Sequence, residues 1–101
     1  MIIVTGALVA EPGKFDRALA AAQAHTRASR EEPGCISHDV FPDPEHPDRL
    51  FFYERWDSMD ALKVHFGVTE ARGFSASLTG VAKPDPAHRL SIYETTEVRP
   101  G

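Results

Sequence analysis

Five histidines, one cysteine and a carboxylate set among aromatic residues are the groups in this 101-residue chain with the chemistry for catalysis. The stretch REEPGCISHDVF places Cys35, His38 and Asp39 close together, the residue types of a nucleophilic triad. A catalytic thiol needs a base within hydrogen-bonding reach, about 3 Å. In an extended strand, Cys35, Ser37 and Asp39 share one face, and Ile36, His38 and Val40 share the other. Cys35 and His38 then point apart, and the thiol is expected to fill space just after the turn. His38 lies on an apolar face, either as a pocket histidine or as a core histidine with its nitrogens satisfied.

His65 follows Leu62 by three positions on a helical segment, on the face expected to turn toward the sheet. A neutral imidazole near pH 7 is a ready proton acceptor. The alternative is a half-buried histidine bonded to a backbone carbonyl. In RLFFYERW, alternation puts Phe52, Glu54 and Trp56 on one face. A carboxylate among aromatics has a raised pKa and suits proton transfer. The alternative is a core Trp56, with Glu54 paired to a nearby arginine. His65, Glu54 and His38 are thus the candidate catalytic groups, with Trp56 and Phe52 as pocket wall. His25 is a weaker candidate, and His46 and His88 are expected to be solvated. No two histidines have the i, i+4 spacing of a helical metal site and no Cys-x-x-Cys occurs, so neither a metal nor a cofactor is expected.

These side chains need a scaffold. The β-branched run from residue 2 to 10 predicts a first strand, ended by EPGK. Residues 14 to 30 predict an amphipathic helix with Phe15, Leu19, Ala22 and Thr26 on one face, stopped by EEPG. Residues 35 to 41 and 49 to 56 predict two strands joined by PDPEHPD. Asp57 or Ser58 caps a helix that breaks near Gly67, and a second short helix, TEARGFSASL, follows. KPDPA reads as a loop and HRLSIYETTEV as the last strand. The order β-α-β-β-α-β, with the second helical region in two pieces, predicts a ferredoxin-like α+β fold, an antiparallel sheet with helices on one face.

Hydrophobic residues form 42% of the chain and charged residues 26%, a balance suited to a single globular domain over residues 1–101. The net charge of −4, with scattered basic residues, excludes the basic stripe that nucleic acid requires. The apolar N-terminus lacks a basic flank and is too short for a membrane span, so neither export nor a membrane is expected. A lone cysteine fits a reducing cytoplasm. The first and third strands are apolar on both faces, and their helices cover only one. A second subunit packing sheet against sheet, with Tyr53 and Arg55 at the interface, is the expected solution, a homodimer.

The chain resembles the antibiotic biosynthesis monooxygenase (ABM) domain family along nearly its whole length. The likeness rests on VTGALVAEPGKFDRALAA, EEPGCISHDVFPDP, RLFFYERWDSMDALKVHF and GFSASL, in that order. It implies a dimeric α+β barrel with a pocket between helices and sheet in each subunit, to which Gly6, Leu62 and Phe74 would also contribute. Several members oxidise electron-rich quinol or polycyclic substrates with O₂ and without metal or flavin. The expected function is therefore a cofactor-independent monooxygenase of a small phenolic, quinol or anthrone-like substrate. The alternatives are an isomerase of a small phosphorylated ketone, with Arg49, Lys63 or Arg72 holding the phosphate, and a non-enzymatic ligand-binding dimer. Haem-degrading relatives depend on an Asn, a Trp and a His. This chain has Trp56 but no Asn, and Gly6 stands about where the Asn would be, so haem degradation is not expected.

Overall fold

The β-branched N-terminal run forms β1 (Ile2–Ala10), the central strand of one antiparallel sheet. A computed structural model describes all 101 residues. The chain continues through α1 (Phe15–Ser29), β2 (Cys35–Pro42), β3 (Arg49–Trp56), α2 (Met59–Ala71), α3 (Phe74–Ser77), β4 (Ala82–Pro84) and β5 (Ser91–Glu94). The strands run in the order β2-β3-β1-β4, and β5 pairs with the other end of β1. This is a ferredoxin-like α+β fold with the helices on one sheet face. No helix is long and apolar enough to cross a membrane.

Pairing of β1 with β3 runs from Ile2 opposite Trp56 to Val9 opposite Arg49, which brings Val4 beside Glu54 and Gly6 beside Phe52. Strand alternation turns Leu50, Phe52, Glu54 and Trp56 toward the helices. Two apolar clusters result. Leu50 packs with Ala18 and Ala22 of α1 at one end of the sheet, and Trp56 with Ile2, Val4 and Leu62 at the other. The small Ala18 and Ala22 let α1 lie close on the strands. α2 is capped by Ser58, whose hydroxyl accepts the Ala61 amide and replaces a missing helical partner.

Three expectations need correction. Gly67 does not break α2, which continues to Ala71; the stop comes at Gly73, whose φ of 76° leaves the helical region. An interior helical glycine costs only about 1 kcal/mol relative to alanine, less than the packing of the surrounding turns returns. α3 shrinks accordingly to Phe74–Ser77. The final strand is shorter than expected, β5 over Ser91–Glu94, and an additional strand, β4, begins at Ala82 and enters the expected loop. Between them, Pro86–His88 forms a single 3-10 turn, held by Asp85, which accepts bonds from the Ala87 amide and the Arg49 side chain.

The third correction concerns the triad-like stretch. A β-bulge lies between Cys35 and Ser37, so Cys35 pairs with Trp56, Ser37 with Arg55 and His38 with Glu54. Two residues oppose one at a bulge, and alternation is interrupted there. Cys35 therefore shares the helix-covered face with His38, and Ile36 is turned outward, 48% exposed. The thiol still fills space, packing against the Trp56–Leu62 cluster. Burial pushes its pKa up, away from the reactive thiolate.

The turn before the bulge depends on Gly34, at φ +83°. A Cβ there would lie 2.6 Å from both the Ala61 Cβ and the Asp57 carboxylate. Gly13, at φ +76°, has open space around it. Gly34→Ala is expected to destabilise the fold by about 2 kcal/mol or more, and Gly13→Ala by distinctly less. Urea unfolding midpoints of the two variants check this, and equal losses would show that the Gly34 contacts are not constraining.

Candidate functional site

A cavity of about 420 Å³ opens between the sheet and the helices. Gly6 and Phe52 form part of its sheet side, and Phe66 of α2 and Phe74 of α3 close it from the helices. Leu90 lies over Gly6, where an added Cβ would come within 3.2 Å of the Leu90 backbone. Against this mostly apolar lining stand four titratable groups, Glu54, His65 and His25 on the helix-covered side of the sheet and Lys83 of β4.

Glu54 is the centre of the polar group. The Trp56 indole N–H donates to its Oε1 at 2.9 Å. Its Oε2 lies 3.4 Å from His38 Nε2, and its Oε1 lies 3.7 Å from His65 Nε2. Glu54 is 6% exposed, and burial pushes its pKa up to about 7 against the pull of the indole. His38 is fully buried, with Thr26 of α1 3.0 Å from its Nδ1. His65 Nδ1 lies 3.0 Å from a carboxylate oxygen of Glu32, whose other oxygen accepts from Arg72 at 3.0 Å. His25 stacks on Phe74 with ring centroids 4.0 Å apart. Burial holds all three imidazoles neutral. It lowers His25 to about 4 and His38 to about 3, and it lowers His65 against the opposing effect of Glu32.

Of the sequence candidates, Glu54, His65, Phe52, Gly6 and Phe74 line the cavity. His38 lies beneath Glu54, and Trp56 and Leu62 are fully buried behind the lining instead of forming it. Trp56 reaches the site through its hydrogen bond to Glu54. The phosphate-holding candidates do not gather there. Arg49 is tied to Asp43 and Asp85, Arg72 to Glu32, and Lys63 is exposed.

Two participants are stronger than the sequence suggested. His25 belongs to a buried stripe of Ala18, Ala22, His25, Thr26 and Ser29, a helical repeat legible in the spacing. Glu32 sits in the turn, and nothing local marks it as the partner of His65. Spacing within single elements also could not show that α1, β2 and α2 each contribute one histidine to a common cluster.

A one-layer ferredoxin-like sheet with a cavity under its helices defines the class of domain. The chain belongs to the antibiotic biosynthesis monooxygenase family, whose model matches residues 1–77. It is 35% identical over 95 residues to the uncharacterized protein sll1783 of Synechocystis, covering 93% of this chain and 65% of that protein. Among solved structures it resembles a candidate antibiotic biosynthesis monooxygenase from Deinococcus radiodurans, with TM-score 0.86 and 22% identity over 99% of this chain and 97% of the other. Rv0793 from Mycobacterium tuberculosis superposes with TM-score 0.81 and 21% identity, over 96% of each chain.

The buried groups set opposing pH dependences. The unfolded chain protonates His25 and His38 near 6.5 and the folded chain near 4 and 3, so their contribution is lost as pH falls from about 6.5. Glu54 takes its proton near 4.5 unfolded and near 7 folded, so its contribution is complete below 4.5 and lost as pH rises through 7. Glu54→Gln cannot ionise and is expected to gain stability over wild type at about pH 8 compared with about pH 5. Urea midpoints of chelator-treated protein at the two pH values measure this, and an equal difference at both would mean that Glu54 ionises normally.

Proposed function

We propose that the cavity oxidises a small phenolic, quinol or anthrone-like substrate with O₂, the substrate itself supplying the electrons. The observation carrying this reading is a carboxyl group, flanked by neutral imidazoles, that opens onto an otherwise largely apolar and aromatic cavity. Membership in the family is consistent with it. Glu54 or His65 removes a proton, leaving an electron-rich anion held by Phe52 and Phe74. The anion passes one electron to O₂, and the resulting superoxide and substrate radical join through a new C–O bond. The peroxide takes a proton back. For an anthrone-like CH₂ carbon, loss of water leaves a carbonyl, with one oxygen atom in the product and one in water.

Chelator-treated protein is expected to consume O₂ with at least one member of a quinol and anthrone panel. Glu54→Gln and His65→Ala are each expected to lower kcat by about 10²-fold. Uptake no faster than substrate autoxidation across the panel would overturn the reading, as would turnover that persists unchanged without O₂.

The same reading includes a homodimer in a reducing cytoplasm, where the free thiol of Cys35 would persist. Phe41 and Tyr93 are 55% and 52% exposed, and with Tyr53 they lie on the sheet face away from the helices. Packing this face against its copy would bury them. Light scattering is expected to give twice the chain mass, and a Phe41→Glu, Tyr53→Glu double variant the single-chain mass. A monomeric wild type would refute it.

A further inference from the structure

His25, His38 and His65 come from three elements, yet one ring nitrogen of each lies within 4.8 Å of the others. All three side chains are buried, and Glu54 reaches toward two of them. His25 Nδ1 and His38 Nε2 are buried without a hydrogen-bond partner. Glu54 Oε2 is only 3.4 Å from His38 Nε2, but the approach is not aligned for a hydrogen bond. A buried, unpaired polar nitrogen costs about 1–3 kcal/mol. Two such atoms converging at one point imply a missing partner.

We infer that His25, His38 and His65, with Glu54, form a binding site for a divalent transition-metal ion. Two of the imidazoles are already arranged as ligands. The Thr26 hydroxyl beside His38 Nδ1 and the Glu32 carboxylate beside His65 Nδ1 leave each Nε2 as the ligand atom. Outer partners of this kind fix the tautomer and orientation of a metal-bound histidine. The Nε2 of His38 is unpaired, and that of His65 is held only by the Thr69 hydroxyl at 3.4 Å, which the ion would displace. Three imidazoles and a carboxylate suit borderline ions such as Zn²⁺, Co²⁺ or Ni²⁺, whereas Mg²⁺ and Ca²⁺ require oxygen donors. Metal–nitrogen bonds of about 2.0–2.1 Å require the rings to close by about 1 Å, within reach of side-chain rotation. Glu54 and Glu32 offset the ion's charge, and Arg72 stands beyond Glu32, on its other oxygen.

The ion would use the lone pairs that accept a proton in the reaction proposed above. It therefore describes a second state of the site and not a step of that reaction. The two readings fail separately, because O₂ uptake is measured without metal and metal binding without quinol.

Tag-free, chelator-treated protein is titrated with Co²⁺ and then with Zn²⁺. The expected result is visible d–d absorption saturating at one Co²⁺ per chain and erased by one equivalent of Zn²⁺. In the wild-type protein, ¹⁵N NMR of the imidazoles is expected to show Zn²⁺ shifting the ring signals of His25, His38 and His65 and leaving His46 and His88 unmoved. His25→Gln is expected to weaken binding at least tenfold, Thr26→Val about tenfold through the orientation of His38, and His46→Gln not at all. No saturable binding, or Zn²⁺ shifts confined to His46 and His88, would overturn the inference. The NMR result does not depend on any variant folding.

Discussion

A carboxyl group beneath the helices must be kept where water scarcely reaches it, and the interior is arranged around that constraint. Burying a charge without compensation costs several kcal/mol, so the group must be bonded, paired or neutral. Glu54 is paired with no lysine or arginine; it has one indole donor and two imidazole neighbours. Its proton affinity rises while that of the neighbouring histidines falls. Burial thus keeps carboxyl and imidazoles alike close to neutrality, and a proton arriving from a bound molecule meets Glu54 and His65 at the cavity wall.

The apolar core makes room for this arrangement by dividing. Along β3, Leu50 belongs to one cluster and Trp56 to the other, with Phe52 and Glu54 between them. α1 repeats the pattern, since Ala18 and Ala22 join the first cluster and His25 and Thr26 follow one turn later. The polar seam is therefore fixed from both ends by packed side chains. Its own rings need not supply the stability that holds them in place.

Strand and helix placement was largely legible because β-branched runs, an alanine-rich segment and proline-glycine stops each act locally. β1 and β3 fall where their residues predicted, and α1 within one residue at each end. What was not legible depends on contacts between distant segments. The continuation of α2 through Gly67 and the extra strand β4 ahead of β5 reflect packing and the Asp85 turn, not local preference. Glu54, His65 and Phe52 could be placed from alternation and helical spacing. The burial of Trp56 behind the cavity could not, because facing the helices does not distinguish lining a space from filling it. The role of His25 is hidden for a related reason: its significance lies in what α1 faces.

The bulge at Ile36 has a consequence for how this chain tolerates change in length. Upstream of it lies Glu32, which holds His65; downstream lies His38, opposite Glu54. Because side chains alternate with a period of two, a regular strand would link the phases of these segments rigidly. Aligning His38 would then turn the start of the strand half a rotation and carry the turn away from α2. The extra residue uncouples the phases, acting as a spacer between two independently set halves of one site. Insertion or deletion at this position would amount to rephasing the strand, an inversion of faces that no single side-chain replacement can produce.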